Sequence, residues 1–229
     1  HETGAEEFAR QVEAEWEKLK DSELRLADTD IRAIEAYFAP PPLVDRPEGD
    51  EAVRLARLDS KSFSDWLDRN VFTHRHPDYA SVTVSLKAIG ETPGDISDSQ
   101  MEAVADLAEK YGFDEARVSH EQNLVLPHVA RADLKAVYDG LAEIGLATAN
   151  IGLITDIIAC PGLDYCSLAN ARSIPVAQAI SRRFASPERQ AEIGELKIKM
   201  SGCINACGHH HVGHIGILGV EKKGAELYQ

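Results

Sequence analysis

The pattern of apolar and polar positions predicts a helical N-terminal region. From Ala5 to Leu19, apolar residues recur at helical spacing, with acidic residues and lysines between them. A second helix is predicted after Asp28, whose side chain can cap it, and Pro40 must end it because proline cannot continue a helix. Residues 44–51 are rich in proline, glycine and acids and predict an exposed linker. Residues 62–70 predict a short helix.

A more compact unit follows. Ser81–Lys87 alternates polar and apolar residues, as a half-buried strand does. Ser97, with Gln100 three residues later, resembles a capping box and opens a predicted helix through Tyr111. The remaining predicted elements are strands over 116–119 and 124–126 and a helix over 131–144. The order β-α-β-β-α is most of a ferredoxin-like unit, an open α/β sandwich, so the predicted fold class is α+β.

Composition and charge narrow the classes of function. The net charge of −14 argues against nucleic acid as a main partner, because phosphate neutralisation needs clustered Lys and Arg. It also argues against binding to an anionic membrane surface. No apolar run approaches the roughly 18 residues of a membrane span, and no signal peptide is visible, so a cytoplasmic protein is predicted. The first residue is His1, and the chain stops after a strand-like run, which predicts a piece of a longer protein.

The four cysteines lie in the last third of the chain and form two close pairs, Cys160 with Cys166 and Cys203 with Cys207. Disulfides are disfavoured, because the lack of a secretion signal indicates a reducing compartment. Zinc is compatible with the pattern, since a C-x3-C pair has the usual ligand spacing and residues 209–214 add four histidines. An iron–sulfur cluster needs four thiolates, which two such loops can supply. Spacing alone leaves zinc and the cluster open.

The residues around the cysteines resemble the iron–sulfur/siroheme signature of nitrite and sulfite reductase hemoproteins. Residues 201–208, followed by 215–217, are similar to that signature: a small residue, Gly, Cys, three residues, Cys, and later an apolar-small-apolar triplet. Residues 160–167 resemble the upstream cysteine pair of the family. His214 stands where the general signature has Asp or Glu, but the histidine-rich run 208–211 looks like one bacterial branch of the family.

The resemblance implies both cofactors and a reaction for the whole protein, whereas this chain alone is expected to be an incomplete, inactive piece that lacks siroheme. In this family a siroheme and a [4Fe-4S] cluster share one cysteine and carry out a six-electron reduction of sulfite to sulfide or nitrite to ammonia. Carried over by motif, the metal ligands are Cys160, Cys166, Cys203 and Cys207. Cys207 is the implied bridging thiolate and proximal siroheme ligand. The further implied cofactor contacts are Gly202, Asn205, Gln122 and Asn123. For the Gln122–Asn123 pair, an ordinary strand-connecting turn is an equally good interpretation.

The resemblance also implies three regions and a set of partners. These are a helical arm and linker over 1–75, a ferredoxin-like half-domain over 76–147, and a truncated [4Fe-4S]/siroheme domain over 148–229. The implied partners are a small anionic substrate, sulfite or nitrite, and a redox donor protein or reductase subunit. Apolar sheet surface left uncovered by a missing half predicts a non-native dimer. The alternative class is a non-enzymatic zinc- or iron–sulfur-binding, electron-transfer module.

Several other polar residues receive ordinary interpretations. Lys197 and Lys199 alternate with apolar residues on a strand, so we expect their side chains on one exposed face. His74 and His76 are interpreted as linker residues beside a proline. The pair His120 and Glu121 is interpreted as part of a loop at a strand end. No catalytic acid or base is therefore assigned in this chain.

Overall fold

The computed structural model describes residues 3–229 and divides the chain into two compact units, one ending at Leu43 and one beginning at Val44. The N-terminal unit contains α1 (Ala5–Leu19) and α2 (Asp28–Tyr37), which confirms both predicted helices. None of their residues is buried, and the apolar stripe of α1 is exposed along its length.

The larger unit begins with two helices, α3 (Gly49–Asp59) and α4 (Lys61–Asn70). The expected linker over 44–51 is therefore wrong from Gly49 onward. A Cβ atom added at Gly49 would lie 2.7 Å from Cβ of Arg131. The start of α3 therefore packs directly against the turn at Arg131, which follows β4. Proline and glycine here mark the turn into a helix, and only tertiary packing distinguishes that turn from a linker.

An antiparallel sheet in the order β1-β2-β4-β3 forms the centre of this unit. Its strands are β1 (Val71–Thr73), β2 (Tyr79–Val84), β3 (Arg117–Val118) and β4 (Leu124–Ala130). Two helices accompany it, α5 (Asp98–Tyr111) and α6 (Leu134–Glu143). The predicted order β-α-β-β-α is confirmed, whereas the short strand β1 carries too few residues to show an alternation and was not predicted.

The core of the half-domain comes from both helices and strands. Phe63 and Trp66 of α4 are fully buried and pack with Val82 of β2 and Leu134 of α6 in one apolar cluster. The capping box at Ser97 is present. The Ser97 hydroxyl accepts from the backbone N–H of Gln100, and the Gln100 side-chain oxygen accepts from the backbone N–H of Ser97. Helix α4 thus belongs to the packed unit, which the amphipathic pattern of a short helix did not reveal.

A second sheet in the order β5-β6-β7-β8 follows. Its strands are β5 (Ile158–Ala159), β6 (Ile198–Ser201), β7 (Ile215–Lys222) and β8 (Ala225–Tyr228). The helices of this region are α7 (Ile174–Arg183) and α8 (Pro187–Ile193). Strands β5, β6 and β7 run parallel, so their carboxyl ends meet at one edge. Over residues 3–229, no helix has both the length and the apolar character needed to cross a membrane.

Candidate functional site

The two cysteine pairs leave the second sheet at the same edge. Cys160 directly follows β5, and Cys203 is the second residue after β6. The two strands are parallel neighbours, with Ala159 opposite Met200. Because the carboxyl ends of adjacent parallel strands lie side by side, the fold presents the first cysteine of each pair at one place.

Hydrogen bonds join the two cysteine loops to each other. The carbonyl oxygen of Gly202 accepts from the backbone N–H groups of Asn170 at 2.8 Å and Ala171 at 3.1 Å. The N–H of Gly202 donates to Sγ of Cys160 at 3.0 Å. The loops therefore meet at Gly202.

Close backbone approach makes two glycines necessary in this arrangement. A Cβ atom at Gly202 would lie 2.8 Å from Cα of Gly162, in the opposite loop. A Cβ atom at Gly208 would lie 1.7 Å from the carbonyl oxygen of Met200, a distance that no rearrangement of side chains can relieve. The N–H of Gly208 also donates to Oγ of Ser201 at 3.1 Å, so the second loop folds back on β6.

The second loop also contains strained backbone and an exposed sulfur. Ala206 and His209 have positive φ angles of 58° and 54°, a conformation that non-glycine residues adopt at a cost of about 1–2 kcal/mol. Cys203 is buried, Cys160 and Cys166 are half-buried, and Cys207 is exposed. Asn205 is exposed in the same loop. Of the four cysteines, Cys207 is thus the most open to a group outside the loops.

The Gln122–Asn123 turn contacts the segment that leads into Cys160. Nε2 of Gln122 donates to the carbonyl of Ala159 at 2.8 Å, and Oε1 accepts from the N–H of Ala159 at 3.0 Å. Oδ1 of Asn123 accepts from the N–H of Leu86 at 3.1 Å, and Nδ2 donates to Asp156 at 3.3 Å. The polar groups of both amides thus bond within the protein.

Lys87 is a buried cation that the sequence did not single out. Its Nζ donates to Oδ1 of Asp156 at 2.9 Å, to Oδ1 of Asn123 at 2.9 Å and to the carbonyl of Glu121. Burial lowers the pKa of Lys87, while the Asp156 carboxylate acts in the opposite direction. No local signal identifies it, because Asp156 lies 69 residues further along the chain. The alternation of the predicted strand 81–87 places Lys87 on its polar face, whereas in the structure β2 ends at Val84 and Lys87 is buried.

The structure corrects the interpretation of the lysines before the second cysteine pair. Lys199 is only 7% exposed, so the expected exposed face is wrong for this residue. Strand β6 lies between β5 and β7, and inner strands of parallel sheets are covered on both faces. Lys197 pairs with Glu121 at 3.1 Å, and that hydrogen bond raises the pKa of Lys197. Glu121 is therefore part of the contact between the two sheets.

His74 and His76 are also more than linker residues. Nδ1 of His74 accepts from the N–H of His76 at 2.8 Å, and Nε2 of His74 lies 3.0 Å from Nδ1 of His128. Nε2 of His128 lies 3.5 Å from Glu115. Burial lowers the pKa of His128. The segment between β1 and β2 is thus joined to β4 by a pair of imidazoles, away from the cysteines.

The cysteines are not gathered as single-ion ligands. Among residues 3–229, one set of three His, Cys, Asp or Glu residues has ligand atoms within 4.8 Å of one another, and it is Asp45, His76 and Asp78. A tetrahedral zinc ion with bonds near 2.3 Å would hold its sulfurs about 3.8 Å apart. Among the residues that the structure describes, no three cysteine sulfurs lie within 4.8 Å of one another, so the four cysteines do not form an assembled single-zinc site.

A comparison with known protein families finds a match in the region of the first sheet. The profile described as nitrite/sulfite reductase ferredoxin-like half domain matches residues 73–144. Residues 73–144 are thus similar to the ferredoxin-like half domain of nitrite and sulfite reductases. The match begins within β1 and ends one residue after α6, so it contains the whole antiparallel sheet except the first two residues of β1.

Two curated relatives are similar over a longer stretch of the chain than the profile match. Sulfite reductase (ferredoxin) 2 of Mycolicibacterium paratuberculosis is 34% identical over 140 residues, which are 58% of this chain and 25% of that protein. The chloroplastic ferredoxin–nitrite reductase of Zea mays is 32% identical over 139 residues, which are 58% of this chain and 23% of that protein. The chain thus spans about a quarter of the length of these relatives.

A solved structure shows the same fold. The NirA protein of Mycobacterium tuberculosis superposes with a TM-score of 0.55 at 24% sequence identity, over 70% of this chain and 29% of that protein. The predicted α+β class is confirmed, with the half domain as its centre.

Proposed function

We propose that the chain is the part of a sulfite or nitrite reductase that holds a [4Fe-4S] cluster against a siroheme. The observation that supports this most is the joining of the two cysteine loops, in which Gly202 bonds to residues of the first loop through both its N–H and its carbonyl. Two parallel strands deliver these loops to one edge of the second sheet. The names of the relatives supply the two candidate substrates, sulfite and nitrite.

The proposed ligands are Cys160, Cys166, Cys203 and Cys207, with Cys207 also ligating the siroheme iron. When bound, the cluster and siroheme supply the one-electron transfers of a six-electron reduction. The exposure of Cys207 supports its assignment as the shared ligand, because a second centre can reach it. The N–H of Gly202 donates to Sγ of Cys160, and hydrogen bonds to cluster sulfurs tune the reduction potential.

The remaining cofactor contacts carry different support. Asn205 is exposed beside Cys207, so its amide is free to contact a neighbouring group. Gly202 contributes backbone, since a side chain there would strike Gly162. The substrate we propose is a small anion, and the donor is a redox protein, in keeping with the word ferredoxin in the relatives' names.

We also propose the regional division of 1–75, 76–147 and 148–229, in which α3 and α4 of the first region pack against the half domain. The proposed dimer would use sheet surface of the half domain, where Val118 of the edge strand β3 is 83% exposed. Exposed apolar residues on an edge strand favour pairing with another strand. Sedimentation at increasing concentration tests this, and a monomer throughout would contradict it.

Metal analysis after anaerobic reconstitution tests the proposal. The chain should take up about four iron atoms and four acid-labile sulfides, as a cubane cluster holds. Cys203→Ser should abolish this uptake, whereas His211→Ala, an exposed neighbour, should leave it unchanged. Siroheme absorption bands that disappear in Cys207→Ser would support the shared ligand. Stoichiometric zinc without iron would overturn the proposal and favour the metal-binding module.

A further inference from the structure

We infer that Gln122 is a positioning residue for Cys160, through the backbone of Ala159, and does not itself touch a cofactor. The ligand role of Cys160 rests on the proposed function, whereas the contact between Gln122 and Ala159 does not. Both ends of the Gln122 amide bond to one residue, at 2.8 and 3.0 Å. That residue directly precedes Cys160.

The amide takes the place of a missing neighbouring strand. Strand β5 is the edge of its sheet, with β6 on one side only. The N–H of Cys160 donates to the carbonyl of Met200 on that side at 3.1 Å. Because successive residues of a strand direct their polar groups to opposite sides, the N–H and C=O of Ala159 face the open edge. Gln122 satisfies both groups there.

The turn that carries Gln122 is itself firmly held. Gln122 has a positive φ of 58°, which a non-glycine residue adopts only where its surroundings impose it. The next residue, Asn123, is 1% exposed and bonds to Lys87 and Asp156. A Cβ atom at Gly94 would lie 2.9 Å from Cβ of Gln122, so the absence of a side chain there leaves space for the glutamine.

Two attachments therefore fix the chain just before the first cysteine. Asp156 is bonded to Lys87 and Asn123, and Ala159 is bonded to Gln122. Only Ile157 and Ile158 lie between the two attachments. Since one trans peptide spans 3.8 Å between Cα atoms, the position of Cys160 follows closely from that of Ala159. The half domain thus sets where this sulfur meets Gly202.

The test compares two matched glutamines. Gln122→Asn keeps an amide and a residue that tolerates positive φ, but it is one methylene too short to reach Ala159. Gln100→Asn is the control, because Gln100 also makes two backbone bonds, to Ser97 at 3.0 Å and to Ile144 at 2.8 Å, and neither partner belongs to the segment that leads into Cys160. Each variant loses bonds of the same kind.

The first measurement is the alkylation rate of each cysteine by iodoacetamide in the metal-free full chain, resolved by mass spectrometry. Gln122→Asn should raise the rate at Cys160 roughly tenfold relative to Cys203, the ratio that loss of about one net hydrogen bond produces. Gln100→Asn should leave that ratio unchanged. An unchanged ratio in Gln122→Asn, or an equal rise at Cys160 in both variants, overturns the inference.

The second measurement separates this inference from the proposed function. After reconstitution, the paramagnetic resonance spectrum and reduction potential of the cluster should shift in Gln122→Asn and not in Gln100→Asn. If the unaltered chain takes up no iron but Cys160 is still released by Gln122→Asn, the cluster proposal fails and the positioning role stands. If iron is bound and the spectrum, potential and alkylation ratio of Gln122→Asn match the unaltered chain, the positioning role fails alone.

Discussion

Nζ of Lys87 lies 2.9 Å from Oδ1 of Asp156, and the two side chains are only 1% and 4% exposed. The ammonium group also bonds to the carbonyl of Glu121 and to Asn123. A buried charge is tolerated only when it is paired and hydrogen-bonded. This ion pair therefore ties the Gln122–Asn123 turn of the half domain to the segment that enters β5.

Removal of one partner should be strongly destabilising. Lys87→Met leaves the Asp156 carboxylate buried without its cation, and we expect the free energy of unfolding to fall by about 3–5 kcal/mol. Urea unfolding followed by circular dichroism measures this. The control is Lys61→Met, which breaks an exposed pair with Asp65 and should change stability by less than about 1 kcal/mol. Equal effects of the two substitutions would contradict the structural role of Lys87.

The same lysine predicts a dependence of stability on alkaline pH. Burial lowers the pKa of Lys87 below its ordinary value of 10.5. Between the folded and unfolded pKa values the unfolded chain binds more protons, so the contribution of this group to stability rises with pH. Subtracting the unfolding curve of Lys87→Met from that of the unaltered chain isolates this contribution. A difference that decreases with pH over this window would show that the pKa is raised instead.

The close approach at Gly208 predicts a severe effect of a single methyl group. In Gly208→Ala the new Cβ meets the carbonyl of Met200, so the second cysteine loop must move away from β6. We expect a loss of about 3 kcal/mol or more in stability and loss of iron uptake. Gly140→Ala is a matched control, because its Cβ meets only the flexible end of Leu107. Normal iron uptake by Gly208→Ala would contradict the loop geometry described here.

Local features of the fold were predictable from the sequence, and contacts between distant segments were not. The Ser97–Gln100 capping box involves residues three apart, and its pattern is legible directly. Lys87 and Asp156 are 69 residues apart, and nothing near either residue indicates the other. The interpretation of Lys199 failed because alternation predicts a half-buried strand, whereas an inner parallel strand is covered on both faces.

In the candidate site, too, the local motif was predictable from the sequence and the contacts between distant segments were not. The cysteine motif is local, so the sequence singled out its four cysteines and Gly202 as expected ligands and contacts, and these roles stay predictions. The Gln122–Asn123 turn was expected near the cofactor, but the bonds of Gln122 to Ala159 arise only when the half domain meets the second sheet. A resemblance can place a residue near a site, whereas the partner of its side chain is a property of the tertiary structure.

The imidazole pair predicts that acid weakens the half domain. Burial lowers the pKa of His128, while Glu115 acts in the opposite direction and His74 and Arg117 lower it further. Near pH 6.5 the unfolded chain therefore binds a proton that the folded chain does not. The stability contributed by neutral His128 is complete above pH 6.5 and is lost as the pH falls through the folded pKa.

Substitution of His128 should remove this dependence. For one proton the slope is at most about 1.4 kcal/mol per pH unit, and His128→Gln should flatten the curve of unfolding free energy between pH 7.5 and pH 5 by up to that slope. His120→Gln, at an exposed position in the same half domain, should leave the slope unchanged.

Protonation of His128 at Nδ1 also removes the acceptor that faces His74, so the link between β4 and the β1–β2 connection should open in acid. Hydrogen exchange should then accelerate at Tyr79 before it does at Leu134, and a uniform acceleration would contradict a local origin.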